Sequence, residues 1–119
     1  MNIEEVRSYC LSYRGAIESF PFDDTTLVVK VGGKIFILVS LEGDRSINLK
    51  CDPDKAIELR ETYPAIIPGY HMNKKHWNTV YLDGSLPDRL IRDMISHSYQ
   101  LVLQSLPGKI RSEIEQINL

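Results

Sequence analysis

The chain has 119 residues, of which 43% are hydrophobic, and 14 Lys plus Arg stand against 16 Asp plus Glu for a net charge of -2. This is the composition of a folded globular chain of one-domain size, not of a disordered one. The charge balance excludes a polybasic protein that coats nucleic acid by charge alone, yet it leaves room for a local basic face.

The opening MNIEEVRSYC places two acids directly after the first isoleucine and holds no apolar core of a secretory signal. No uninterrupted 18-residue apolar run follows, so the expected location is the cytoplasm, with no membrane association. Asn2 is a helix cap, and Ile3, Val6, Cys10 and Tyr13 recur at three- and four-residue steps to form one apolar stripe that Gly15 ends. Cys10 and Cys51 have no CxxC partner; both are expected to be reduced, with Cys10 a buried small hydrophobe. AIESFPF forms a short strand with Pro21 at its edge or end. LVVKV and KIFILVS flank Gly32-Gly33 as a tight hairpin, and the continuous apolar run Ile35 to Val39 predicts a central strand with substantial burial on both sides. SINLK is a further strand.

Asp52-Pro53-Asp54 marks a helix start that Pro64 stops. Its apolar stripe comprises Ala56, Ile57 and Leu59, while Lys55, Glu58, Arg60 and Glu61 face solvent. A strand is expected from His76 to Leu82, then a third main helix from about Pro87 to Pro107-Gly108, then a short terminal helix carrying Ile110, Ile114 and Ile117. Nothing divides the chain, so the expectation is a single α+β domain over residues 1–119. It is a two-layer unit with about five antiparallel strands and three main helices. A Rossmann arrangement lacks both its repeated crossovers and its phosphate loop.

Four blocks occur in order: Phe20-Pro21-Phe22; Val29-Lys30-Val31 through Gly33-Lys34-Ile35-Phe36; Asn48-Leu49-Lys50-Cys51-Asp52-Pro53; and Pro68-Gly69-Tyr70-His71-Met72-Asn73-Lys74-Lys75-His76-Trp77-Asn78-Thr79-Val80. With Leu82-Asp83-Gly84 and Ser98-Tyr99-Gln100-Leu101-Val102, they make the chain resemble the MmcQ/YjbR-like family over nearly its whole length. The resemblance implies a CyaY-like or secretion-chaperone-like layering of helices on an antiparallel sheet. It also implies DNA binding, by a double-wing comparison. Asp23 stands where a glycine or another small turn residue is frequent in that family.

The densest polar and aromatic cluster is His71, Asn73, Lys74, Lys75, His76 and Trp77, within an interval from Glu61 to Asp83 that holds no acid between its ends. The lysines suit phosphates, Asn73 a phosphate or base edge, and Trp77 base stacking; an ordinary solvated turn and a sheet-packing indole are the competing explanations. Joined by Arg45 and Lys50, and extended by Lys30 or Lys34, these residues form the expected nucleic-acid surface.

His71, His76, His97 and Tyr99 are candidates for a polar pocket, although packing alone accounts for His97 and Tyr99 on a helix. The two histidines five apart lack the spacing and glutamate of HExxH, so no metal ligand set is assigned. Ser98 beside His97 points about 100° away on a helix and is no nucleophile-base pair. The acids at positions 23, 24, 52, 54 and 83 have turn or capping explanations. No catalytic residue and no cofactor is assigned. The leading reading is a non-enzymatic, monomeric DNA-binding protein; a protein-interaction module and, below it, a small-molecule enzyme are the alternatives.

Overall fold

The computed structural model describes residues 1–69 and 72–117, and the chain begins with a capped helix. Asn2 accepts the Glu5 amide at 2.8 Å while the Glu5 carboxylate accepts the Asn2 amide at 3.1 Å, which satisfies two donors that a helix start leaves open. This helix, α1 (Ile3–Leu11), buries Val6 and Cys10 one turn apart. It ends two residues before Tyr13, and Gly15, at φ +74°, redirects the chain toward β1 (Ile17–Ser19).

The next two strands, β2 (Thr26–Val31) and β3 (Lys34–Ser40), pair across Gly32 and Gly33, whose φ angles of +57° and +82° make the expected hairpin. Gly32 meets a second demand, since a Cβ there would stand 2.5 Å from Leu106 Cδ1; the hairpin tip is seated under that leucine. The remaining elements are β4 (Ser46–Lys50), α2 (Pro53–Thr62), β5 (Ile66–Pro68), β6 (Trp77–Tyr81), α3 (Asp88–Ser105) and α4 (Gly108–Glu115). All neighbouring strands run antiparallel in the order β1-β2-β3-β4-β6-β5. The α+β class is as expected, with six strands and four helices among the described residues; the strand not anticipated is β5.

The helices share one face of the sheet. Val6 and Cys10 of α1, Ala56 and Leu59 of α2, Ile95 and Val102 of α3 and Ile114 of α4 join Val29, Ile37, Val39, Ile47, Leu49 and Val80 in one apolar core. Strand alternation then sends Val28, Lys30, Ile35, Leu38, Asn48, Lys50, Trp77 and Thr79 to the opposite, open face, which no helix among the described residues covers and on which Val28 and Thr79 are themselves buried between their neighbours. The apolar run of β3 is buried on both sides, though unequally: Phe36, Ile37 and Val39 lie in the core, and Ile35 and Leu38 are half-buried on the open face. A bulge adds to its continuity. The register with β2 shifts between Val29 and Lys30, so the consecutive residues Phe36 and Ile37 both enter the core.

Fully buried Ser98 of α3 closes that irregularity. Its hydroxyl donates to the Phe36 carbonyl at 2.6 Å and accepts the Lys50 amide at 2.9 Å, joining β3 to β4 just beyond their last paired residues. On α2 the expected stripe is corrected: Ile57 is 49% exposed, since it lies about 100° around the helix from Ala56, which faces the core. Among the described residues no helix is long and apolar enough to cross a membrane.

Candidate functional site

The two ends of the sheet differ in charge. At one end lie the connection between β1 and β2, with Asp23 and Asp24, the connection between β3 and β4, with Glu42 and Asp44, and Asp83 after β6. At the other end lie Lys30 of β2, Lys34 of β3, Lys50 of β4 and the turn before β6 with Lys74 and Lys75. Register fixes their relation. Lys50 stands directly across from Trp77, and Lys30 pairs with Ile35 two strands from β4, so Lys30 and Lys50 are about 10 Å apart on the open face. Asp52 and Asp54 also follow β4 at this end, but they belong to the start of α2, where the Asp52 carboxylate accepts the Lys55 amide at 3.2 Å.

Of the residues expected to bind nucleic acid, Lys50, Lys74, Lys75 and Trp77 thus come together, and Arg45 does not. Arg45 precedes β4 while Lys50 ends it, a separation of about 17 Å along the strand. Its neighbours are Asp44 and Asp83. Asn73 organises the turn: its Oδ1 accepts the amides of Lys75 at 2.9 Å and His76 at 3.3 Å, and its carbonyl accepts the Trp77 amide at 2.9 Å. This directs Lys74 and Lys75, both exposed, away from the core.

Of the residues considered for a polar pocket, Tyr99 is drawn into the core on the Tyr13 side, while His97 and the His76 backbone meet the adjacent amides of Asp52 and Cys51. Tyr99 is 3% exposed; its hydroxyl donates to the Arg14 carbonyl at 2.6 Å, and its ring stacks on Tyr13 and meets Phe36 edge-on. His97, two residues earlier on α3, faces a narrow apolar crevice with Cys51, Lys55, Leu59 and Met94. Its Nε2 accepts the Asp52 amide at 3.1 Å, which places the proton of the neutral ring on Nδ1. Partial burial, and then the Lys55 charge, push its pKa below the ordinary histidine value. Burial likewise raises the Cys51 thiol pKa, so the crevice holds a protonated thiol and a neutral imidazole at neutral pH. His76 is half-buried and offers its carbonyl to the Cys51 amide at 2.7 Å. His71 lies outside the described residues. Among the described residues, no three His, Cys, Asp or Glu side chains gather as a metal site requires.

Arg60 is the positioning residue that sequence reading left in solvent. It is half-buried, donates from Nε to Asn78 Oδ1 at 2.7 Å and from Nη2 to the Lys74 carbonyl, and so ties the lysine turn to α2. The signal was available: Ala56, Leu59, Arg60 and Tyr63 follow the i, i+3, i+4, i+7 rule of an inward helix face. Gly69 secures the same region from β5. Its amide donates to the Trp77 carbonyl at 2.8 Å, and a Cβ would lie 2.8 Å from both the Trp77 Cβ and that oxygen.

Comparison with known proteins gives a consistent set of relatives. The family model named YjbR matches residues 11–101. The uncharacterized protein YbdF of Escherichia coli O157:H7 is 49% identical over 96 residues, covering 80% of this chain and 79% of its own. The uncharacterized protein YjbR of Escherichia coli K12 is 37% identical over 118 residues, covering 98% of this chain and 100% of that protein. Among solved structures, protein DR2400 of Deinococcus radiodurans superposes with a TM-score of 0.90 at 40% identity, over 96% of this chain and 88% of that one. A Pseudomonas syringae protein superposes with a TM-score of 0.74 at 29% identity, over 86% of this chain and 99% of that one.

Proposed function

We propose a function for a chain that belongs to the YjbR family: it binds nucleic acid reversibly through the lysine-lined end of its open sheet face, without cutting or modifying it. The observation that carries this reading is the convergence of Lys30, Lys50, Lys74 and Lys75 at one end of the sheet, with Lys34 at that end but paired with the core residue Val31, and with Asp23, Asp24, Glu42, Asp44 and Asp83 at the other. Each lysine that meets a phosphate releases condensed counterions, an attraction set by local charge and not by the net charge of -2. The non-catalytic part of the reading is supported by how the candidate groups are used. Asp52 caps α2, Asp23 and Asp83 close turns through the amides of Thr25 and Ser85, and His97 holds the Asp52 amide. In this reading the protein works in the cytoplasm as a monomer.

The test is a titration with DNA between about 50 and 200 mM salt. Replacing Lys74 and Lys75 with Ala weakens binding equally for unrelated sequences and lowers the salt slope by at most about two units. Arg45→Ala, at the acidic end, leaves both quantities unchanged. Absence of binding by the wild type, or binding indifferent to the lysine pair, refutes the reading.

A protein-interaction reading is favoured by a different observation: Ile17, Phe20 and Phe22, at and just after the edge strand β1, are 69%, 51% and 65% exposed. Phe20→Ser with Phe22→Ser separates the two readings, because it removes the apolar edge and leaves every lysine in place.

A further inference from the structure

Resting on that reading, we infer that the ligand of the open face is a single strand of nucleic acid, one base of which stacks on Trp77. The face is a platform. All four helices bury their apolar side chains on the opposite side of the sheet, so among the described residues no helix stands above Trp77 to be laid in a major groove. A β-ribbon could serve instead, and the hairpin of β2 and β3 carries Lys30 and Lys34. Its tip, however, is held against Leu106 and Ile110, close enough that a Cβ on Gly32 would reach Leu106 at 2.5 Å. The hairpin is therefore not a free wing.

What the face does offer is a half-buried aromatic group fixed at its root, with one lysine across from it in the sheet and two before it in the chain. The Trp77 backbone is held by the Asn73 carbonyl at 2.9 Å and the Gly69 amide at 2.8 Å, Lys50 lies across from it, and Lys74 and Lys75 precede it in the chain. Beyond Trp77 along the same face stands Thr79, which donates to Asn48 Oδ1 at 2.6 Å, and next to that pair is the half-buried Leu38. Lysines for the backbone and an indole for a base suit a strand whose bases are turned outward, while Thr79, 2% exposed, supports the sheet beneath and adds no contact surface. A duplex presents phosphates to such a face and keeps its base faces stacked inside, so Trp77 gains nothing from it.

Trp77 is the sole tryptophan of the chain, and its emission reports on its own ring. Wild-type protein is titrated with an oligothymidylate of about fifteen nucleotides and with a duplex of equal length at the same salt. The single strand quenches the emission and binds more tightly than the duplex, whose binding leaves emission unchanged. Trp77→Ala, followed by anisotropy of a dye-labelled strand, weakens single-strand binding roughly 5- to 150-fold, the equivalent of one stacked base. Trp77→Phe, which keeps a ring and guards against a merely unfolded variant, restores most of it. Duplex binding as tight as single-strand binding, or single-strand binding without quenching, overturns the inference and leaves nucleic-acid binding standing. Failure to bind either probe overturns both.

Discussion

Removing the Ser98 hydroxyl tests how the bulged sheet is held together. In Ser98→Ala the Phe36 carbonyl loses its donor at 2.6 Å and the Lys50 amide its acceptor at 2.9 Å, with the site fully buried. Each hydrogen bond contributes about 0.5 to 1.5 kcal/mol net, and a buried amide left without an acceptor costs about 1 to 3 kcal/mol. The removed oxygen leaves a space too small for water to enter and repair both losses. The expected destabilisation is therefore about 2 to 4 kcal/mol, a large part of the roughly 6 to 18 kcal/mol that a chain of this length has in total. Urea denaturation followed by Trp77 emission and by backbone circular dichroism measures it. The two signals coincide if residues 1–119 unfold as one cooperative unit, the proposed domain organisation. At a slope near 2 kcal/mol/M the midpoint falls by about 1 to 2 M with the slope unchanged. Ser105→Ala, which removes a hydroxyl donating to the Val102 carbonyl at an exposed helix end, is the control and stays within about 0.5 kcal/mol of wild type. If Ser98→Ala does the same, the two strands are held by their packing alone and the bridge is incidental.

Three further outcomes are expected. Phe36→Ala, at a fully buried ring, costs about 3 to 5 kcal/mol in the same denaturation assay, and a cost near zero contradicts the packing of the bulge. Gly69→Ala lowers the melting temperature and shifts the Trp77 emission maximum, because the added methyl collides with the Trp77 carbonyl; an unchanged spectrum argues against that close approach. His97 has a pKa lowered by burial and by Lys55, so between its folded value and the ordinary one near 6.5 the unfolded chain binds more protons. Its contribution is complete above pH 6.5 and is lost as pH falls through the folded value. His97→Gln, which retains an acceptor for the Asp52 amide, flattens stability between about pH 5 and 7 relative to wild type, and parallel curves refute the assignment.

Where local chemistry decides an element, the sequence was legible. Asn2 with Glu5, Gly32-Gly33 and Asp52-Pro53 each carry within a few residues the cap or turn that the structure contains. Where a partner distant in sequence decides, it was not. Ile66-Ile67-Pro68 is too short and too poor in donors to announce β5, and it becomes a strand only because β6 lies beside it. The two-sided burial of β3 showed in its apolar run, whereas the bulge that sends both Phe36 and Ile37 into the core depends on register with β2 and did not. The lysines themselves were named from sequence, Lys50, Lys74 and Lys75 with Lys30 or Lys34 as an extension, whereas the end of the sheet they share required the strand order. The remoteness of Arg45 was readable in principle, since two residues that flank one strand lie at its opposite ends.

The segregation of charge along the strands sets an electrical length for the molecule. The seven-residue β3 spans about 24 Å, more than twice the Debye length of about 10 Å at 0.1 M salt and less than the 30 Å at 0.01 M. At physiological ionic strength a polyanion near the lysines is shielded from the carboxylates at the far end and responds to a cationic surface. As salt is withdrawn the carboxylates come back into range, and the same polyanion begins to respond to a particle of charge -2. Under the proposed nucleic-acid binding, the gain in affinity on dilution of salt therefore levels off as the screening length approaches that of the sheet, where a uniformly basic protein would keep tightening.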